Sequence, residues 1–141
     1  MNDIIETAKK ENWMICTYGL GYLGRRLYED IPSMFGLSAG FYSDGNNSKV
    51  DSIELIGMKR IYKDDLINIK HHVLVFILVD DPYDIEIQKT LSVNNKLHTF
   101  TLRELVQMES IIRIFYGDEL FDKYEKLPDY STNYNKRGCM E

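Results

Sequence analysis

Residues 13–27 read WMICTYGLGYLGRRL, an apolar run that breaks at three glycines and then resumes with helical spacing. The first six residues favour β-strands and are too few for an isolated helix, which predicts a buried strand. Gly19, Gly21 and Gly24 then form the pattern G-x-G-x-x-G where the helical pattern begins. We therefore expect a strand, a tight glycine turn and a helix, with the rest of the chain arranged around that turn.

Each glycine of such a turn has a different expected role. The first allows a tight bend, the second lets a phosphate approach the backbone, and the third lets the helix pack closely on the strand. The N–H groups of the first helical turn would then face an anion. We predict that a phosphate-containing cofactor binds to this turn, at Gly19, Leu20, Gly21, Tyr22, Leu23 and Gly24. The alternative is that the glycines form only a tight corner around an empty site.

An acidic residue follows the predicted second strand, residues 37–44. Asp44 lies twenty residues after Gly24, which is the spacing at which dinucleotide-binding domains carry a carboxylate for a ribose hydroxyl. In the sequence DGNN, however, an aspartate also favours a turn without any ligand. Both roles stay open for Asp44.

A second acidic pair follows residues 72–79, a continuous aliphatic run that predicts a strand buried on both faces. Asp80 would then lie on the same edge of the sheet as the glycine turn and could bind a ligand hydroxyl. We expect Asp81 to cap the helix that follows, because an aspartate before a proline is a common helix start.

Other parts of the chain predict shorter elements. A helix is expected at residues 3–11, and Pro32 is expected to end the helix after the glycine turn. An irregular, hairpin-like segment should lead to a short strand near residues 59–62. Along the whole chain, the predicted elements alternate between strand and helix, which predicts an α/β fold. We expect an open, mostly parallel Rossmann-like sheet of order 3-2-1-4-5, with helices on both faces in three layers.

Composition limits the classes of function. The chain has 141 residues, a formal net charge of -5 and a pI near 5.2, which argues against a nucleic-acid surface. It has no apolar span of about 20 residues for a membrane helix, and its start does not resemble a signal peptide, so a cytoplasmic location is expected. Neither the two cysteines nor the three histidines are spaced as metal ligands, so no metal site is predicted.

We expect one domain over residues 1–127 and a polar tail over residues 128–141. The apolar residues of segment 110–126 suggest a surface for a homo-oligomer or for a partner enzyme domain.

Three segments resemble small Rossmann-like N-terminal domains of bacterial surface-polysaccharide biosynthesis enzymes, of the CoA- or nucleotide-sugar-binding type. These segments are YGLGYLGRRL (residues 18–27), GFYSD (residues 40–44) and IGMKRIYKDDL (residues 56–66). The resemblance covers roughly residues 12–107. Such domains precede the catalytic parts of nucleotide-sugar dehydratases, sugar acetyltransferases and sugar methyltransferases.

The resemblance implies that Gly19, Gly21 and Gly24 match the phosphate-binding glycines and that Asp44 matches the acid after the second strand. The chain departs from the family at Ser43, where an isoleucine is usual, and at Asp80 with its neighbour, where small hydroxyl residues are common.

The expected function is therefore the binding of a nucleotide or nucleotide-sugar, NAD or a UDP-sugar, by a domain that is non-catalytic alone. A small NAD(P)-dependent oxidoreductase is one alternative, with Tyr22, Asp80 and Tyr83 as its only candidate acids or bases, and no residue is assigned to catalysis. A ligand-free assembly domain is the other.

Overall fold

The computed structural model of the protein describes residues 2–108. Five parallel strands form one sheet in the order β3-β2-β1-β4-β5, which confirms the predicted α/β fold and strand order. The strands are β1 (Met14–Tyr18), β2 (Phe41–Ser43), β3 (Lys59–Arg60), β4 (Val73–Ile77) and β5 (Leu97–Thr101).

Helices connect the strands. They are α1 (Asn2–Lys10), α2 (Tyr22–Leu27), α3 (Asp30–Met34), α4 (Asn47–Ser52), α5 (Lys63–Ile67), α6 (Tyr83–Leu91) and α7 (Leu102–Met108). The whole sheet belongs to one compact unit that ends at Leu102. Of the unit that follows, the structure describes only residues 103–108.

The core is centred on β4, whose five residues are all buried, as expected for the middle of a parallel sheet. On one face, Val75 and Ile77 pack in a cluster with Leu91 of α6. On the other face, the ring of Phe76 stacks on Phe35, next to α3, with 6.0 Å between the ring centroids. Helices therefore cover both faces of the sheet, as the sequence predicts.

The prediction for Pro32 was wrong. The helix after the glycine turn ends at Leu27, before the proline, and Pro32 lies within the next helix, α3. It is the third residue of α3, where its missing N–H removes no hydrogen bond because the first turn of a helix has no internal acceptors for its N–H groups.

The segment after β2 also differs from its prediction. Asn46 does not only form a turn: its side-chain oxygen accepts a hydrogen bond from the Ser48 N–H at 2.9 Å and caps α4. The strand before it is shorter than predicted and spans only Phe41–Ser43.

No helix in the described part of the chain is long and apolar enough to cross a membrane. The predicted interaction segment 110–126, the domain boundary at residue 127 and the polar tail lie outside the described residues.

Candidate functional site

The candidate site lies where the order of strands reverses. From β1 the chain proceeds outward to β2 and β3, and then returns to place β4 on the other side of β1. The last residues of β1 and β4, Tyr18 and Ile77, are paired neighbours. In open parallel sheets, this reversal opens a crevice at the carboxyl ends of the strands. The glycine turn directly follows Tyr18, and Asp80 follows β4, so the structure brings both to this edge.

Two of the three glycines are required by the fold. Gly19 has a φ of +121°, and a Cβ atom there would lie 2.7 Å from Val79 Cγ2 and 2.8 Å from the Leu78 carbonyl oxygen. At Gly24, a Cβ atom would lie 1.9 Å from the carbonyl oxygen of Gly19. Packing of the turn against α2 and β4 therefore explains both residues without any ligand.

Gly21 differs from its neighbours. Its φ of -77° is open to any residue, and among the described residues, apart from its two chain neighbours, no atom lies within 4 Å of the position that a Cβ would occupy. It is the residue that precedes α2, in the N-cap position, and no side chain caps this helix. Neither backbone strain nor crowding within the chain explains a glycine at this position.

The backbone N–H groups of the turn are only partly occupied. The Gly19 N–H donates to the Ser43 carbonyl at 2.9 Å, and the Leu20 N–H donates to Asp44 Oδ2 at 2.7 Å. Within the described residues, no hydrogen bond engages the N–H groups of Gly21, Tyr22 and Leu23. The turn therefore offers three consecutive donors at the edge of the crevice.

Asp44 joins two loops of this edge. Besides the bond from Leu20, its other oxygen, Oδ1, accepts a hydrogen bond from the Asn46 N–H at 2.8 Å. The turn role foreseen for Asp44 is therefore present. Each carboxylate oxygen keeps a second lone pair, so the predicted ribose contact stays a prediction.

Asp80 is exposed and its Oδ1 accepts a hydrogen bond from the Asp81 N–H at 2.8 Å. The prediction that Asp81 caps the next helix was wrong, because the residue in the N-cap position of α6 is Pro82 and no side chain caps it. The helix itself begins at Tyr83, directly after the proline.

Two exposed tyrosines begin the helices that follow β1 and β4. Tyr22 is the first residue of α2 and Tyr83 is the first residue of α6, and their side chains are 67% and 66% exposed. Arg26 lies beside the first of them, with its guanidinium carbon 5.9 Å from the centre of the Tyr22 ring.

The remaining predicted residues of the turn face inward to different degrees. The Leu20 side chain is buried in a cluster with Tyr42, Val50 and Leu55, so only its backbone belongs to the turn. Leu23 is half-buried within α2.

Tyr18 is a polar group of this edge that the sequence reasoning missed. Burial, followed by the negative charge of Asp44, raises the pKa of its phenol to about 12. A Cβ atom on Gly45 would lie 3.2 Å from the Tyr18 hydroxyl, which places that hydroxyl under the loop after β2. Its position as the last strand residue before the glycine turn is the signal that could have found it.

Within residues 2–108, no group of three or more histidine, cysteine or acidic side chains is arranged to hold a metal ion.

An open groove of about 860 Å³ lies at the opposite, amino end of the sheet and is lined in part by Trp13, Phe41 and His72. The ligand site predicted at the glycine turn is therefore not in this groove.

A scan of protein-family models, a search of curated proteins and a search of solved structures each found no significant match to the chain.

Proposed function

We propose that the protein binds a nucleotide or nucleotide-sugar, NAD or a UDP-sugar, at the glycine turn, as a non-catalytic binding domain of bacterial glycan biosynthesis. The nucleotide class rests on the turn and its position in the sheet. The link to glycan biosynthesis rests on the resemblance of residues 12–107 to the domains of those enzymes. A cytoplasmic location and assembly with a partner enzyme domain or a second copy belong to the same proposal.

Gly21 is the observation that carries the proposal. Contacts within the chain require glycine at positions 19 and 24. Gly21 has an ordinary φ, no described residue other than its chain neighbours within 4 Å of a Cβ position, and a place next to N–H groups that no described residue engages. A group that approaches the backbone from outside the chain would require this space. A phosphate fits, because the neighbouring N–H groups are donors and the start of a helix favours negative charge.

The surroundings suggest where the rest of the ligand would lie. The exposed rings of Tyr22 and Tyr83, at the starts of the helices after β1 and β4, offer flat apolar surfaces suited to a base or to the apolar face of a sugar. The carboxylates of Asp44 and Asp80 can accept hydrogen bonds from sugar hydroxyls at the same edge.

The test is a thermal-shift screen of the full chain with NAD, NADP, UDP-sugars and S-adenosylmethionine. A ligand at one hundred times its Kd stabilises the folded state by about 2.7 kcal/mol, which is readily measured. We expect a shift with NAD or a UDP-sugar and none with S-adenosylmethionine.

Gly21→Asp is the decisive variant. Aspartate is among the best residues at a helix N-cap, so the fold should keep its stability or gain up to about 1 kcal/mol. The added carboxylate would repel a phosphate, and the ligand shift should disappear.

Gly40→Asp is the matched control, because Gly40 also has no described residue other than its chain neighbours within 4 Å of a Cβ position but precedes β2 at the other end of the sheet. It should retain the shift. If none of the compounds stabilises the wild type, or if Gly21→Asp responds as the wild type does, the proposal is wrong and a ligand-free assembly domain becomes the better account.

A further inference from the structure

The only tryptophan of the chain and two of its three histidines form one cluster at the amino end of the sheet. Trp13 directly precedes β1, His72 directly precedes β4, and His98 is the second residue of β5. The centroid of the Trp13 ring lies 4.6 Å from that of His72 and 4.5 Å from that of His98, and both imidazoles stack on the indole. This cluster is at the opposite end of the sheet from the glycine turn.

The two imidazoles lie side by side on one face of the indole. Their centroids are 5.1 Å apart, whereas rings on opposite faces would be separated by nearly the sum of the two stacking distances. His72 Nδ1 and His98 Nε2 are 2.9 Å apart, a normal hydrogen-bond distance. Because the nitrogens are much closer than the centroids, they point toward each other.

Such a bond limits the number of protons that the pair can hold. One facing nitrogen must carry the proton and the other must offer its lone pair. A first additional proton can bind at a nitrogen that faces away, and the bond then persists with a charged partner. A second additional proton would leave two N–H groups facing each other and two positive charges on adjacent rings, so the bond must break.

We propose that His72 and His98 form a pH-sensitive latch, stacked on Trp13, which holds the starts of β4 and β5 together and opens when both rings are protonated. The latch lies next to the backbone bond from the Val73 N–H to the Lys96 carbonyl, which joins the same two strands at 2.9 Å. A fall in pH would therefore loosen the amino end of the sheet first.

Among residues 2–108, the charged groups around the latch come from three connections. Glu11 and Lys9 lie before β1, and Glu11 Oε1 accepts a hydrogen bond from Trp13 Nε1 at 3.1 Å. His71 lies before β4, with its Nδ1 3.3 Å from the His72 carbonyl oxygen. Lys96 lies before β5. Burial, followed by the charges of His72 and Lys96, lowers the pKa of His98, which agrees with the resistance of the pair to a second proton.

The geometry favours a shared proton over a shared metal ion. A metal bound by both imidazoles would need the two nitrogen lone pairs to converge on a third point, but here they point at each other. Titration with Zn²⁺ should therefore leave the histidine resonances of the folded protein unchanged.

The experiment is a pH titration of the full chain by NMR of the histidine rings, with Trp13 fluorescence recorded in parallel. A single tryptophan makes the fluorescence specific to this cluster. We expect the pair to bind its two additional protons in two separate steps. The lower step should coincide with a change in Trp13 fluorescence.

His98→Gln should reduce the two steps to one and remove the lower fluorescence step, whereas His71→Gln, outside the pair, should leave both steps in place. The wild-type NMR titration decides the proposal even if His98→Gln does not fold. A single unsplit step in the wild type, a fluorescence profile shared by wild type and His98→Gln, or tight Zn²⁺ binding would overturn it.

Discussion

At the scale of single residues, Gly24 shows how one contact outweighs an intrinsic preference. Glycine within a helix costs about 1 kcal/mol relative to alanine, so propensity alone favours a replacement. The contact with the Gly19 carbonyl oxygen, which a Cβ would approach to 1.9 Å, opposes it. Because the obstacle is backbone and not a flexible side chain, the turn itself would have to move.

We therefore expect Gly24→Ala to lower the free energy of unfolding by about 3 kcal/mol, the upper part of the usual range for overpacking. Urea unfolding measures this change. Gly40→Ala, which adds the same methyl group in open space, should change stability by less than about 1 kcal/mol. Equal stability of Gly24→Ala and the wild type would show that α2 can shift away from the turn.

Tyr18 gives a prediction for alkaline pH. Its pKa in the folded state, about 12, exceeds the value near 10 of an unfolded chain. Between these values the unfolded state loses its phenol proton while the folded state keeps it, so stability decreases as pH rises above 10. This residue should cost about 1 kcal/mol of stability by pH 11.

Tyr18→Phe removes the titrating group and keeps the ring. The difference in urea midpoint between pH 9 and pH 11 should be smaller in this variant than in the wild type. Comparing the two proteins subtracts the contribution of the other tyrosines. Identical pH dependence of the two proteins would contradict the raised pKa of the buried phenol.

At the scale of elements, one side chain connects two loops at the amino end of the sheet. The Asn94 amide nitrogen donates to the carbonyls of Ile67 and Ile69, at 2.8 and 2.9 Å, and its oxygen accepts a bond from the Lys96 N–H at 2.9 Å. These bonds tie the segment after α5 to the segment that leads into β5. They satisfy backbone groups that would otherwise lack partners in a partly buried place.

Asn94→Ala should therefore lower the free energy of unfolding by about 2 kcal/mol, less than the sum of three separate bonds because water can reach part of the loop. Asn68→Ala is the control, since Asn68 makes one exposed bond to the Asp64 carbonyl and should cost less than about 0.5 kcal/mol. Urea unfolding of both variants compares them directly, and similar losses would contradict the connecting role of Asn94.

The helix boundaries show which elements the sequence predicts. The strand β4 and the helix α1 follow from periodicity and appear where expected. The boundary between α2 and α3 does not follow from periodicity. Pro32 is compatible with the end of one helix and with the first turn of another, and the bend of the chain before it decides between the two. Helix α4 was missed because Asn46 favours turns and helix caps equally well.

At the scale of the whole sheet, the two ends carry different chemistry. The carboxyl end has the glycine turn, Asp44 and Asp80, while the amino end has the groove of about 860 Å³ and the histidine latch. The position of the strand-order reversal favours the carboxyl end as the ligand site.

We expect the nucleotide that stabilises the chain most to shift the backbone NMR resonances of residues 19–24, 44–47 and 80–83. Resonances of the amino-end groove, such as those of Trp13 and Gly40, should stay unchanged. Shifts confined to the groove would move the binding site to the other end of the sheet and would refute the role assigned to Gly21.

The alternation of strands and helices, the parallel sheet and the position of the glycine turn could all be predicted from the local sequence. These features follow from residue periodicity and from the conformational freedom of glycine, which are properties of neighbouring residues. The three-dimensional arrangement is needed to see that Asp44 accepts a hydrogen bond from the Leu20 N–H, that His72 bonds to His98, and that, of the three glycines of the turn, Gly21 is the one that no contact among the described residues explains. Each of these depends on the distance between segments brought together by strand register, which local sequence does not encode.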